Sequence, residues 1–374
     1  MRFLFIISLF LATSHYSFSK SIEEIDELFI LYDYGETQIL KEVIEKSLKN
    51  KKKIKVITMA TAADYISKRK YTINIKDIIG TQIDRSSWPR DKEISRKQIG
   101  LILKKYAPKT IMTGVVSKVQ NQIANAFKGN AHVIGVYDSF SKLKQRHITN
   151  TFVNDVDEIW IPSTLQIESF KKAGFHNIHA IGHPSVKEWS SVLNNIEKKK
   201  LKNIYKIEND KKILAYIGGY GIYYERGLDF FFDSISERDD VNVIITLHPK
   251  SNGDIERRMK KKYPFLNIII ASKRTSTIEI SAISDLIISQ NSSVGVQALY
   301  QNKDVIYFHI NNHYKNIAIE QGLAHQFHLK HELNHYLNNY EANSNKFNLR
   351  KLGLGNLSNP RPNSCNKALE HIYL

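Results

Sequence analysis

"ISDLIISQNSSVGVQALYQNKDVIYF", residues 283–308, sets two short apolar runs on either side of a helical segment. Runs of this length bounded by polar turns read as strands buried on both faces, here from Asp285 and from Asp304. Strand, helix and strand in that order predict a parallel unit. The polar turn Gln290-Asn291-Ser292-Ser293 between them has two readings. Ser292 can cap the helix, a contribution of about 1 kcal/mol. The same hydroxyls and the unpaired amides of a helix start also suit a phosphate. Local chemistry does not choose between them.

The same alternation extends in both directions. Strands are expected at "LFILYDY" from Leu28, "KIKVITM", "TIMTGVV" from Thr110, "HVIGVYD" from His132, "VDEIWIP" from Val156 and "IHAIG". "ETQILKEVIEKSLKN" carries Ile39, Leu40, Val43, Ile44 and Leu48 on one helical face. After a lysine-rich helical stretch the pattern restarts at "KILAYIG" from Lys212, "VNVIITLHP" from Val241 and "LNIIIA" from Leu266. The fold class expected is therefore α/β, two Rossmann-like doubly wound parallel sheets facing a cleft. The boundaries read as 20–186 for an acceptor domain, 187–211 for a helical crossover, 212–340 for a donor-binding domain and 341–374 for a tail.

At 374 residues, 42% hydrophobic and 10% aromatic, the chain has material for two cores. Its formal charge of +17 invites a nucleic-acid reading, but the lysine runs "KNKKKIK", "EKKKLK" and "RRMKKK" fall in surface connectors and no nucleic-acid motif accompanies them. Cys365 is the single cysteine, which excludes an internal disulfide and a cysteine-rich metal site. Residues 1–19 combine Arg2, an apolar core from Phe3 to Ala12 and small residues Ser17 and Ser19, the pattern of a secretory signal peptide. An uncleaved anchor is the alternative, with the chain on the cytoplasmic face of a membrane and in peripheral contact with it.

The strand ends of the second half should meet at the cleft. "YIGGYG" supplies Gly218 and Gly219, where backbone can approach a ligand or simply turn tightly. Tyr224 stands where a dinucleotide fingerprint needs its third glycine, so a nicotinamide site is rejected. In "TLHPK" Pro249 ends the strand, His248 follows a buried run, and Lys250 offers a compact charge for phosphate. A packing histidine would look the same at position 248. In the first half, Asp33, Glu36 and Asp138 lie at or just beyond strand ends, where a carboxylate can take a proton from an acceptor hydroxyl or serve only as a turn residue. Asp138 is the first choice for catalysis and Glu36 the second. His325, His328, His331 and His335 recur at helical spacing, but they match no metal motif and read as an exposed helix face.

"TLHPK", followed about forty residues on by the opening stretch, resembles the GT-B superfamily, nearest to the bacterial CDP-glycerol glycerophosphotransferases and capsule-polymer transferases. "IMTGVVSKVQNQIANAFKGNAHVIGVYDSF" and "VDEIWIPSTLQIESFKKAGFHNIHAIGHPSV" look like the amino-terminal half of such enzymes. The resemblance implies that His248, Ser292 and Ser293 contact the donor phosphates. Gln290 and Asn291 stand where those families usually show an Asp-Tyr pair.

The expected activity is transfer of a glycosyl or glycerophosphoryl group from a nucleotide-activated sugar or CDP-alcohol to a saccharide or polyol, with no metal or organic cofactor and no nucleic-acid partner. Donor phosphates would be held by His248, Lys250, Ser292, Ser293, Gly218 and Gly219, and the acceptor would be deprotonated by Asp138 or Glu36. Nucleotide donors belong to the cytoplasm, which sits badly with an export signal. The alternatives are a non-catalytic two-lobed protein that closes on a phosphorylated or saccharide ligand, and a nucleotide-sugar epimerase of related fold.

Overall fold

The computed structural model describes residues 22–354 apart from 67–68, 85–92, 144–147, 192, 209, 273–275, 311–314 and 342–346. The leader at 1–19 and the last twenty residues, Cys365 among them, lie outside the described residues. The strands are β1 (Glu23–Leu31), β2 (Ile54–Thr58), β3 (Thr72–Asn74), β4 (Tyr106–Gly114), β5 (His132–Val136), β6 (Glu158–Ile161) and β7 (Ile178–Ala180). They form one parallel sheet in the order β3-β2-β1-β4-β5-β6-β7. A second parallel sheet joins β8 (Lys212–Ile217), β9 (Val241–Thr246), β10 (Asn267–Ile270), β11 (Leu286–Ser289), β12 (Asp304–Phe308) and β13 (His325–Phe327) in the order β10-β9-β8-β11-β12-β13. This is the two-domain doubly wound architecture of GT-B type.

Both central strand sets are apolar on both faces because helices cover both sides. Every residue of β9 and of β12 is buried. In the first domain Phe29, Leu31 and Trp160 pack on one face of the sheet and Leu28, Ile30 and Ile111 on the other. Two short edge strands, β3 and β13, had no clear periodic signal, since three residues are too few to alternate. β13 also corrects the histidine reading: His325 belongs to this edge strand, and only His331 and His335 lie on the helix Lys330–Asn338. Among the described residues no cluster of His, Cys, Asp or Glu could hold a metal.

Several contacts join the two domains. Phe140, Val186 and Trp189 from the first half enter a core built mainly by the second. The segment at 347–354, expected as part of a tail, returns to the first domain, where Ser163 donates to the Leu352 carbonyl (2.6 Å) and the Thr164 N–H reaches the Gly353 carbonyl (3.2 Å). Deeper in the joint, His183 is buried beside Phe140. Its Nδ1 accepts the Ser185 N–H (3.2 Å) and lies 2.6 Å from the Ser185 hydroxyl, which in turn accepts from Gln297 Nε2 (3.0 Å). Gln297 sits on the helix that follows the serine pair, so this chain of bonds links the first domain to the serine turn.

Burial pushes the His183 ring down to about 4 from its ordinary 6.5. The fold thus favours the neutral ring: this contribution is fully present above 6.5 and is lost as pH falls through 4. Urea denaturation at pH 7 and pH 5 should show the wild type losing about 2 kcal/mol more on acidification than His183→Gln. An equal loss in both proteins would place the acid sensitivity elsewhere.

Candidate functional site

In both sheets the strand order reverses direction beside the first strand of the domain, between β1 and β4 and between β8 and β11. At such switch points adjacent turns diverge and leave a crevice beyond the carboxyl ends. The turn after β1 meets the turn after β9 through Asp33 and Lys250, with Asp138, after β5, against the first and Tyr220, after β8, against the second.

Lys250 closes the distance between the domains. Its Nζ lies 3.1 Å from Asp33 Oδ1, with 8% and 12% of the two side chains exposed. Thr61 Oγ1 donates to the same Asp33 oxygen at 3.1 Å. Lys250 Nζ also lies 5.2 Å from the centre of the Tyr220 ring, and Tyr220 packs 4.7 Å from the ring of His248. His248 Nδ1 accepts the Lys250 backbone N–H (3.0 Å), which assigns the ring proton of the neutral form to Nε2.

Behind Asp33, the carboxyl group of Glu36 is completely buried. Oε1 accepts from the N–H groups of Tyr32 (2.5 Å) and Asp33 (3.2 Å) and from Gln120 Nε2 (2.6 Å). Oε2 has no hydrogen-bond partner and rests against Gly114, where any β-carbon would occupy the carboxyl's place. Burial, then the charges of Asp33 and Asp138, raise its pKa well above the ordinary 4.5, outweighing the backbone bonds that lower it. Glu36 therefore sits under the cleft with its protonated form favoured by burial, out of reach of an acceptor in this arrangement. Asp138 lies against Gly35 in the first turn of the helix Tyr34–Lys49, and a side chain at position 35 would collide with its carboxylate. The amino end of this 16-residue helix favours negative charge there.

The glycine loop and the serine turn have local explanations. A β-carbon on Gly218 would strike the Thr246 carbonyl, and one on Gly219 the Tyr224 ring, so both glycines allow the loop to pack on β9 and on its own helix. Ser292 Oγ accepts the Val294 N–H (3.2 Å) and caps a helix of six residues, Ser293–Ala298, too short to carry much of a dipole. Its hydroxyl proton still provides a donor. Ser293 is half-buried at the first helical position. Gln290 has a role the sequence concealed: its amide occupies the space above Gly227 and reaches the Tyr223 carbonyl (3.4 Å), tying the serine turn to the helix Gly221–Ser234 that follows the glycine loop. Gly35, Gly114 and Gln120 were also missed, because their importance lies in contacts with residues far away in sequence.

No family model and no curated protein matches this sequence. Solved structures do match. UDP-GlcNAc 2-epimerase from Neisseria meningitidis bound to UDP-GlcNAc has a TM-score of 0.66 at 12% identity, covering 93% of this chain and 100% of that one. The UDP-GlcNAc 2-epimerase from Methanocaldococcus jannaschii gives 0.62 at 13% identity, over 94% and 100%. The wall teichoic acid polymerase TagF, in a structure with CDPG, gives 0.54 at 14% identity, over 93% and 88%. At such identities the likeness concerns the fold, and it extends over both domains and their connection.

Proposed function

We propose that the protein is an enzyme acting on a nucleotide-activated substrate, transferring a glycosyl or glycerophosphoryl group to a saccharide or polyol hydroxyl. The observation that carries this reading is the Lys250–Asp33 pair, which brings His248 of one domain and Asp138 of the other to the carboxyl ends of both sheets. One wall offers cation and N–H donors to an anion, and the facing wall offers carboxylates to a hydroxyl. Asp138 takes the acceptor's proton as the new bond to the transferred group forms. The bond to the nucleotide breaks, and its electron pair leaves on a phosphate oxygen that Lys250 and His248 Nε2–H stabilise. Ser292 and Ser293 hold the same phosphates through hydroxyl and amide donors. Glu36 is a positioning residue that holds the turn carrying Asp33.

Epimerisation of a nucleotide sugar is the second reading, favoured by the higher TM-scores of the two epimerases. It needs no acceptor, and that is the chemical difference.

A thermal-shift screen of UDP, CDP, CMP and GDP should give stabilisation by one nucleotide, about 2.7 kcal/mol at a hundredfold excess over Kd. Lys250→Ala and His248→Ala should weaken it. Asp138→Asn should keep the shift and lower turnover by about 10²–10⁴-fold. Product that appears only with an added saccharide or polyol supports transfer; isomerised donor without acceptor supports the epimerase. Binding with neither product would leave a two-lobed binding protein.

Glu36 gives a second test. A raised pKa means that its contribution is full below 4.5 and is lost as pH rises. Glu36→Gln keeps the Oε1 acceptor and never ionises, so its melting temperature should equal or exceed the wild type at pH 8, with the difference shrinking toward pH 4.5. A wild type that gains stability relative to Glu36→Gln as pH rises would mean an ionised Glu36.

A further inference from the structure

The linker helix Asn195–Ile204 has no buried residue. Leu201 and Tyr205 turn toward the second-domain core. On the outward side Ile196, Lys200 and Ile204 follow at i, i+4 and i+8, one line along a helix, with Lys199 beside them. Ile196 is 81% exposed and Ile204 60%. Two isoleucines two turns apart on one outward line, with Lys200 between them, give this helix an exposed face that is both apolar and basic.

A second exposed group lies at the same end of the domain. Glu208, just past the linker helix, accepts Asn242 Nδ2 through its carbonyl (3.0 Å) and Asn267 Nδ2 through Oε1 (3.1 Å). These asparagines stand at the amino ends of β9 and β10. Phe265, two residues before β10, is 93% exposed, and exposed Lys260 and Lys261 precede it. Their neighbours Arg257, Arg258 and Lys262 are paired with Asp254, Glu225 and Asp229.

We infer that this edge, carrying Ile196, Ile204 and Phe265 among Lys199, Lys200, Lys260 and Lys261, docks the second domain on an anionic lipid surface. The three apolar side chains are of the kind that enters the headgroup boundary, and the lysines meet lipid phosphates with their stems along the apolar surface. The charge selects the occupant, because a purely apolar partner would leave the lysine ammonium groups unmatched. The inference stands apart from the chemistry proposed for the cleft.

The test is flotation of the full chain with phosphatidylcholine vesicles with and without phosphatidylglycerol, at low and high salt. Binding should require phosphatidylglycerol and weaken with salt. K199E/K200E and the triple variant I196S/I204S/F265S should each reduce binding at least about tenfold. Both should keep the wild-type melting temperature and nucleotide response. Unchanged binding in both variants would assign lipid contact to another part of the chain, the amino-terminal apolar segment included, and overturn the inference. So would absence of vesicle binding, or a wild-type dimer that I196S/I204S/F265S dissociates, which would make this edge an interface between copies.

Discussion

Lys250 and Asp33 face each other across the cleft with little of either side chain left in water. Removing each charge from solvent costs several kcal/mol, and their attraction at 3.1 Å, about 5 kcal/mol at an effective dielectric of 20, offsets this only while both are present. The pair therefore demands that the two sheets meet at their carboxyl ends. It also makes the crevice responsive to anions. A phosphate that approaches Lys250 competes with Asp33, whose Oδ1 keeps the Thr61 hydroxyl as a donor. Opening and filling of the cleft are thus coupled through one ammonium group.

The carboxylates behind that pair obey a related constraint. The Glu36 carboxyl has no access to water, so burial and its acidic neighbours make its ionisation costly. Glu36 can lie there because residue 114 is glycine, and Asp138 can approach the helix start because residue 35 is glycine. Space in this site is created by missing side chains on β4 and on the first helix. The glycines of the second domain do the corresponding work for the loop that packs on β9.

Strand runs and helix periodicity made the double-sheet architecture legible, because buried parallel strands are apolar throughout and their helices carry a single apolar face. "TLHPK" and "GVYDSF" could be placed at the cleft from their position after such strands. What stayed hidden was tertiary. Nothing in "MTGVV" says that Gly114 accommodates an acid 78 positions earlier, and nothing in "SQNSS" says that Gln290 braces Gly227. The serine pair shows the limit most clearly. A cap and a phosphate cradle use the same atoms, and the structure shows Ser292 making the cap bond while its hydroxyl proton stays available for another contact.

The cleft and the exposed edge lie at different ends of the second domain. The cleft lies beyond the carboxyl ends of the strands, whereas the apolar and basic edge gathers at the amino ends of β9 and β10. In a parallel sheet these are opposite ends of the same elements. Docked on lipid by that edge as proposed, the domain would hold its glycine loop, His248 and serine turn at the end away from the lipid. The two domains are tied on one side by the His183 joint and the returning segment at 347–354, and across the cleft by Lys250 and Asp33, so the crevice is bounded by a hydrogen-bonded joint and by an ion pair.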